Sequence, residues 1–277
     1  MAEVFSASIL RVSVPALAPP ATNSGHGPRR IDVGGYRLWM HAAGHGSPTV
    51  VFDSGGGDDS SVWSLVEPEV RRRKSVATVL YDRAGLGQSE PKPGPYRIDD
   101  EVKALRTALS VCGVDGPLLL VAHSYGGFVS MLTAATDPRV AGLVLVDGNI
   151  PGFFDEAEVA RLLGRFTPQI DVLRRAHPKL GPVVIPLTLA LPETSRRVRA
   201  TPLPLSMPVI DIVAETTWVE SPEEVAAMRR EHASFVAASL AREAVFAAGS
   251  GHYVMRDRPD LVIKAVSRLI DRLRALT

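Results

Sequence analysis

The stretch "PLLLVAHSYGG", Pro117 to Gly127, decides how the rest of the chain is read. Leu118 to Ala122 is an unbroken apolar run, the pattern of a strand buried on both faces. A helix-like stretch begins almost at once, from Tyr125 to Thr136. The chain must therefore turn sharply at Ser124. Such a turn leaves little room for bulk two residues to either side, and Ala122 and Gly126 stand there, followed by Gly127. It also forces the serine into a strained backbone region and lifts its hydroxyl clear of the sheet edge. The first amides of the helix aim at the same point, where an anion can bind.

The same alternation extends in both directions. "RRIDVGGYRLWMHAAG" alternates apolar and polar residues around Gly34-Gly35 and predicts a hairpin. "TVVFDSGGG" and "SVATVLYDRAGLG" are strands that run into glycines, with a helix predicted between them from Ser60 to Arg73. A helix over Asp99 to Val111 precedes the opening strand, and "VAGLVLVDG" is the strand after Thr136. Continuous apolar strands separated by helices predict an α/β fold, a mostly parallel twisted sheet of about eight strands covered on both faces. In such sheets chemistry gathers beyond the carboxyl ends of the strands.

Between Asn149 and Met207 the alternation stops. "FFDEAEVARLLGRF" and "PQIDVLRRAHPKL" predict short amphipathic helices, and "PLTLALPETSRRVRATPLPLSMP" is proline-rich. Residues 149–207 read as a helical lid inserted after the sixth strand, into a core made of 29–148 and 208–277. "MPVIDIVAE", a helix from Pro222 to Ser239, "REAVFAAG" and a helix from Pro259 to Leu276 complete the pattern. Residues 1–28, rich in Ala, Pro, Ser and Gly, read as a loosely ordered extension. Ala16-Leu17-Ala18 has some look of a cleavage site, but Glu3, Arg11 and Pro15 and the lack of a basic start argue against a signal peptide.

With 31 basic and 30 acidic residues, the formal charge of +1 offers no footprint for nucleic acid. The run Arg71-Arg72-Arg73-Lys74 reads as a solvated helix end. No stretch is long and apolar enough to span a membrane. The single Cys112 excludes an intrachain disulfide and a cysteine-based zinc site, and fits a reducing, cytoplasmic setting.

The Ser124 turn resembles the G-x-S-x-G nucleophile elbow of the α/β-hydrolase family, with Ala122 in place of the first glycine. Three further motifs carry the resemblance in the right order. "SGGG", Ser54 to Gly57, occupies the place of the family's His-Gly-x-x loop, with Ser54 where the family has histidine. "YDRAGLGQS", Tyr81 to Ser89, is similar to its Asp-x-x-Gly-x-Gly-x-Ser segment, and "GSGHYVMRDRP", Gly249 to Pro259, to its terminal histidine loop. The resemblance covers the chain from about Ile31 to its end.

A serine hydroxyl needs a base within hydrogen-bond reach to act as a nucleophile at neutral pH. Of seven histidines, His252 alone follows a late strand in a small-residue loop and precedes the last helix. His123 adjoins the serine, but side chains of neighbours at a sharp turn diverge, so packing or substrate contact is expected of it. The base needs a carboxylate to orient it. Family precedent offers two positions. Asp147 ends the strand before the lid, and Glu215, with Glu220 nearby, follows the strand after it; Asp147 is preferred and Glu215 is the alternative. Asp211 is expected to make structural hydrogen bonds in mid-strand, and Asp82 to brace its glycine turn.

The resemblance implies a Ser124–His252–Asp147 triad and an oxyanion hole of the Gly56 and Tyr125 amides, with no metal and no cofactor. It implies a small-molecule partner, a small-to-medium hydrophobic ester or lactone. His123, Trp63, Phe153, Phe154, Phe166, Trp218 and Tyr253 are expected to face it, and Leu162, Leu163, Ile185, Leu187 and Leu189 are further candidates. Because the nucleophile is serine, epoxide-opening and halide-displacing members are poor guides. Other members use the same groups as a lyase, a cofactor-independent oxygenase or a slow-turnover ligand receptor, and the fold alone does not separate these classes.

Overall fold

In the computed structural model, residues 27–219 and 221–275 are described. The expected N-terminal extension up to residue 26, with its cleavage-like stretch, lies outside them, as does Glu220. Eight strands form one sheet: β1 (Gly27–Asp32), β2 (Arg37–Ala43), β3 (Thr49–Asp53), β4 (Thr78–Tyr81), β5 (Leu118–His123), β6 (Val140–Val146), β7 (Val209–Ala214) and β8 (Arg242–Ala247). Their order is β1-β2-β4-β3-β5-β6-β7-β8. The expected hairpin is β1–β2, with Asp32 opposite Arg37 and positive φ at Gly34 and Gly35. β2 also runs antiparallel to β4, and from β4 to β8 all pairs are parallel.

Ten helices are seen among the described residues: α1 (Glu67–Lys74), α2 (Ile98–Val111), α3 (Gly126–Thr136), α4 (Glu156–Phe166), α5 (Ile170–Ala176), α6 (Gly181–Leu189), α7 (Leu191–Arg199), α8 (Pro222–Ala237), α9 (Val254–Asp257) and α10 (Pro259–Arg274). Alternate residues of the central strands feed two cores. Val51, Leu118, Leu120 and Ala122 face α2 and α3, while Val50, Phe52, Leu119 and Val121 face α1 and α10. Burial on both sides is why these strands are apolar throughout.

One element departs from the sequence-based expectation. The stretch from Ser60 to Arg73 is not one helix but a 3₁₀ turn over Ser60–Trp63, capped by Asp59, followed by α1. Pro68, which has no N–H to give, fits only the first turn of a helix, and α1 begins there. The proline-rich stretch from Pro186 is largely helical, as α6 and α7. Pro192 sits in the first turn of α7, and Pro186 is accommodated inside α6. The chain between β6 and β7 thus carries four helices, α4 to α7, beyond the carboxyl ends of the parallel strands.

Candidate active site

β5 sits at the centre of the sheet and delivers Ser124 to its carboxyl edge. Ser124 has φ 51°, a left-handed conformation that serine adopts only when its surroundings impose it. The imposing bonds are visible. The Ser124 carbonyl accepts from the amides of Gly127 and Asn149, both at 2.9 Å. A Cβ at Gly126 would lie 2.6 Å from the Ser54 carbonyl oxygen, so only glycine lets the elbow meet the β3 loop this closely.

Asp147 follows β6, again with positive φ, at 44°. Its amide donates to the Ile212 carbonyl at 2.7 Å, which fixes it against β7. Its Oδ1 accepts from the Ala214 amide at 3.1 Å, and its Oδ2 from the Thr217 hydroxyl at 2.9 Å. The Nδ1 of His252 is 2.6 Å from the same Oδ2. Burial alone would push the Asp147 carboxyl up; the bond and charge of His252, helped by His232 and the Ala214 amide, outweigh it and hold the group below its ordinary value. An ionised carboxylate on Nδ1 fixes the proton there and leaves Nε2 to act as a base. Ser124 and His252 line one cavity of about 180 Å³.

Gly56 and Tyr125 line that cavity beside Ser124, and a Cβ on Gly56 would be 3.5 Å from that of Tyr125. The glycine loop and the elbow are therefore in contact. Ser54 donates its hydroxyl to the Asp59 carbonyl at 3.0 Å. A residue not singled out from the sequence, Arg83, clamps this loop. Its guanidinium bonds Asp53 at 3.0 Å and the carbonyls of Ser54 and Gly55, with both charged side chains almost fully buried. Asp82 accepts from the amides of Ser60 and Gln88 and braces the next turn, where Gly87 has φ 51°.

Phe154, Phe166, Trp218 and Tyr253 line the cavity, together with Leu162 and Leu187. Phe153 does not. It is buried behind the wall, edge-on to Phe154 with ring centres 5.2 Å apart. Trp63 is a correction: it is fully buried against Phe52 in the α1/α10 core, because the 3₁₀ turn carries it under the sheet. His123 is also buried away from the cavity surface, its Nε2 3.1 Å from the carbonyl of His252. Leu163 and Ile185 do not line the cavity, and Leu189 is exposed.

Glu215 stands apart from this cluster. Its Oε2 accepts from the Gly249 amide at 2.6 Å, which ties the β7 loop to the β8 loop. The cavity also has lining residues that sequence reasoning passed over: Gly57, Asp58, Asn149, Val184, Thr188 and Leu191. Asp58 and Gly57 had a signal, since they continue the glycine motif. Val184, Thr188 and Leu191 are visible only once α6 and α7 are seen to be helices, and Asn149 lies in the turn after Asp147. Among the described residues no group of three His, Cys, Asp or Glu side chains is placed to hold a metal ion, and no helix is long and apolar enough to cross a membrane.

The model of the α/β hydrolase family matches residues 50–265. The chain belongs to that family. Among curated proteins it is 33% identical over 109 residues to the uncharacterized protein YqjL of Bacillus subtilis, a match that covers 39% of this chain and 42% of that one. A longer match, 26% identical over 275 residues, covers 88% of this α/β hydrolase and 95% of the 2-(acetamidomethylene)succinate hydrolase of Mesorhizobium japonicum. Among solved structures, the haloalkane dehalogenase DbeA of Bradyrhizobium elkani superposes with a TM-score of 0.67 at 18% identity, over 91% of this chain and 99% of that one. At that identity the likeness speaks for the fold alone. The family and the fold agree with the sequence analysis.

Proposed function

We propose that this α/β hydrolase is a serine esterase or lactonase that works through an acyl-enzyme. The observation that carries the reading is the 2.6 Å bond between His252 Nδ1 and Asp147 Oδ2, on a ring that shares its cavity with the strained Ser124. His252 Nε2 takes the Ser124 proton as the oxygen attacks the ester carbonyl. The amides of Gly56 and Tyr125 receive the oxyanion, and Asp147 stabilises the imidazolium. His252 then protonates the leaving alcohol, and a water activated by the same ring releases the acid. The nucleophile is a hydroxyl, so the product of the first step is an ester that water can cleave at its carbonyl.

Helices α4, α6 and α7 supply Leu162, Phe166, Val184, Leu187 and Leu191 to the cavity wall, and this supports the segment 149–207 as the lid over the substrate. The apolar walls and the volume of about 180 Å³ suit a small-to-medium hydrophobic ester or lactone. The test is mass spectrometry after treatment with a fluorophosphonate. Wild type is expected to gain one phosphonyl group on Ser124. Ser124→Ala is expected to gain none and to lose turnover of an activated ester by roughly a millionfold. Near-wild-type turnover by Ser124→Ala, or a carbonyl product formed without acylation, would overturn the esterase mechanism.

A further inference from the structure

Asp58 lines the cavity, immediately after the glycine loop. Among the lining residues it and His252 are the only members of the Asp, Glu, Lys, Arg and His group, so no side-chain cation faces this carboxylate across the cavity. Its Oδ1 accepts the Tyr253 hydroxyl at 3.1 Å. No donor among the described residues reaches its Oδ2 within hydrogen-bond distance. The closest candidate is Nδ1 of His123, at 3.7 Å. That nitrogen is itself buried without a hydrogen-bond partner.

The chemistry of this pair leaves one carboxylate oxygen without a donor. The His252 carbonyl can only accept, so Nε2 of His123 carries the proton that joins them at 3.1 Å. Burial, followed by the neighbouring His252, pushes the His123 ring below its ordinary value, which favours the neutral form. In that form Nδ1 is a bare acceptor facing a carboxylate oxygen, and the two leave Oδ2 in need of a donor. A Cβ on Gly55 would stand 2.5 Å from Oδ2 and 2.9 Å from that Nδ1, so only glycine lets the loop backbone pass this close to both. Arg256 lies over the far side of this wall, its guanidinium 4.5 Å from the Tyr253 ring centre, and does not line the cavity.

We propose that Asp58 is a charge-recognition site for a protonated amine on the substrate, taken up at Oδ2 beside the glycine loop. A carboxylate set among apolar walls gains most from a cation that arrives with its own apolar chain. The same charge repels carboxylate-bearing esters. The substrate class is therefore an amine-bearing hydrophobic ester, a specification that rests on the cavity being the substrate site proposed above.

Binding is measured without turnover, on the Ser124→Ala protein, by NMR titration with n-hexylammonium and with n-hexanol at pH 7. A hydrogen bond to a charged group contributes enough for about tenfold to hundredfold in affinity. The ammonium is expected to bind at least tenfold more tightly than the alcohol, and Asp58→Asn is expected to bring the ratio close to one. A ratio near one in the parent protein overturns the inference by itself, and so does a preference that survives Asp58→Asn. Asn can still accept from Tyr253; should that variant fail to fold, Asp58→Ser reads the same ratio. In the wild-type enzyme, aryl esters whose acyl chains end in ammonium, methyl or carboxylate are expected to fall in that order of kcat/KM. A failure of Ser124 to label would end the esterase reading and leave the binding ratio to stand or fall on its own.

Discussion

Two Asp–His pairs lie close together at β6 and β7, and their bonds are almost the same. His252 Nδ1 is 2.6 Å from Asp147 Oδ2, and His232 Nδ1 is 2.7 Å from Asp211 Oδ2. Their surroundings differ. Asp147 accepts from the Ala214 amide and the Thr217 hydroxyl as well, and His252 opens on the cavity that Ser124 lines. Asp211 and His232 are sealed in the core beneath α8, with side chains 0% and 3% exposed. Among the described residues, Oδ1 of Asp211 and Nε2 of His232 have no hydrogen-bond partner. A short Asp–His bond is thus no mark of catalysis. What separates the pairs is that His252 shares a cavity with Ser124, while His232 is sealed in the core.

The most severe way to break this contrast is Asp147→Asn. It is expected to preserve the fold and to cut turnover of an activated ester about ten-thousandfold, as loss of the correct His252 tautomer does in the best-understood triads. Steady-state kinetics with a circular-dichroism check reads it. An Asp147→Asn enzyme with near-wild-type kcat would remove the distinction between the two pairs.

Asp211→Asn should do the reverse. Breaking one member of a buried charged pair costs about 3–5 kcal/mol of stability, whereas replacing both members by apolar residues of similar size is often neutral. Urea melts of Asp211→Asn and of the double variant Asp211→Leu/His232→Phe are expected to show that order, with kcat of the folded protein changed by less than about threefold. A thousandfold loss of kcat in either protein would place the sealed pair in the chemistry.

The pH dependence of stability sharpens the same comparison. Burial pushes the His232 ring down, but the Asp211 carboxylate outweighs it and raises the group above its ordinary 6.5. Its contribution is therefore complete below pH 6.5 and is lost as pH rises through the raised value. Asp147 is held below its ordinary 3.8, so its contribution is present above that value and is lost as pH falls through the lowered one. Thermal melts across pH are expected to show the alkaline loss in wild type and its absence in His232→Gln. An unchanged alkaline limb in His232→Gln would show that this ring carries no charge in the folded protein. The smallest effect is expected from Glu215→Gln, which keeps an acceptor for the Gly249 amide: turnover changed by less than about twofold and stability by less than about 0.5 kcal/mol.

The fold was legible because its strands are apolar on both faces and end in glycines at the sheet edge, as at Ser54–Gly57 and Ser124–Gly127. The elbow was legible for the same reason, since few residues fit between a buried strand and a helix that begins at once. What stayed hidden depends on three-dimensional register. Asp147 and Glu215 both follow parallel strands, and one-dimensional spacing does not tell which loop reaches His252. Trp63 lies near the glycine loop in sequence, but the turn over Ser60–Trp63 rotates it into the opposite core. The prolines of 186–208 hid where the lid helices begin and end, although proline in a first turn costs a helix nothing, and α7 starts in that way. The direction of the Asp58 carboxylate is a property of loop geometry and has no periodic signature.

The bonds at Asp147 have a consequence for how this protein can change over generations. Residues 148–208 leave the sheet and return to it, yet the aspartate just before the departure is tied to Ile212, Ala214 and Thr217 just after the return. The excursion is pinched shut at its base, like a cassette held in a frame. On the proposed mechanism, helices in it can be lengthened or exchanged while the pins that hold the Asp147–His252 pair stay where they are. On that reading, selectivity and chemistry are inherited on separable pieces of one chain.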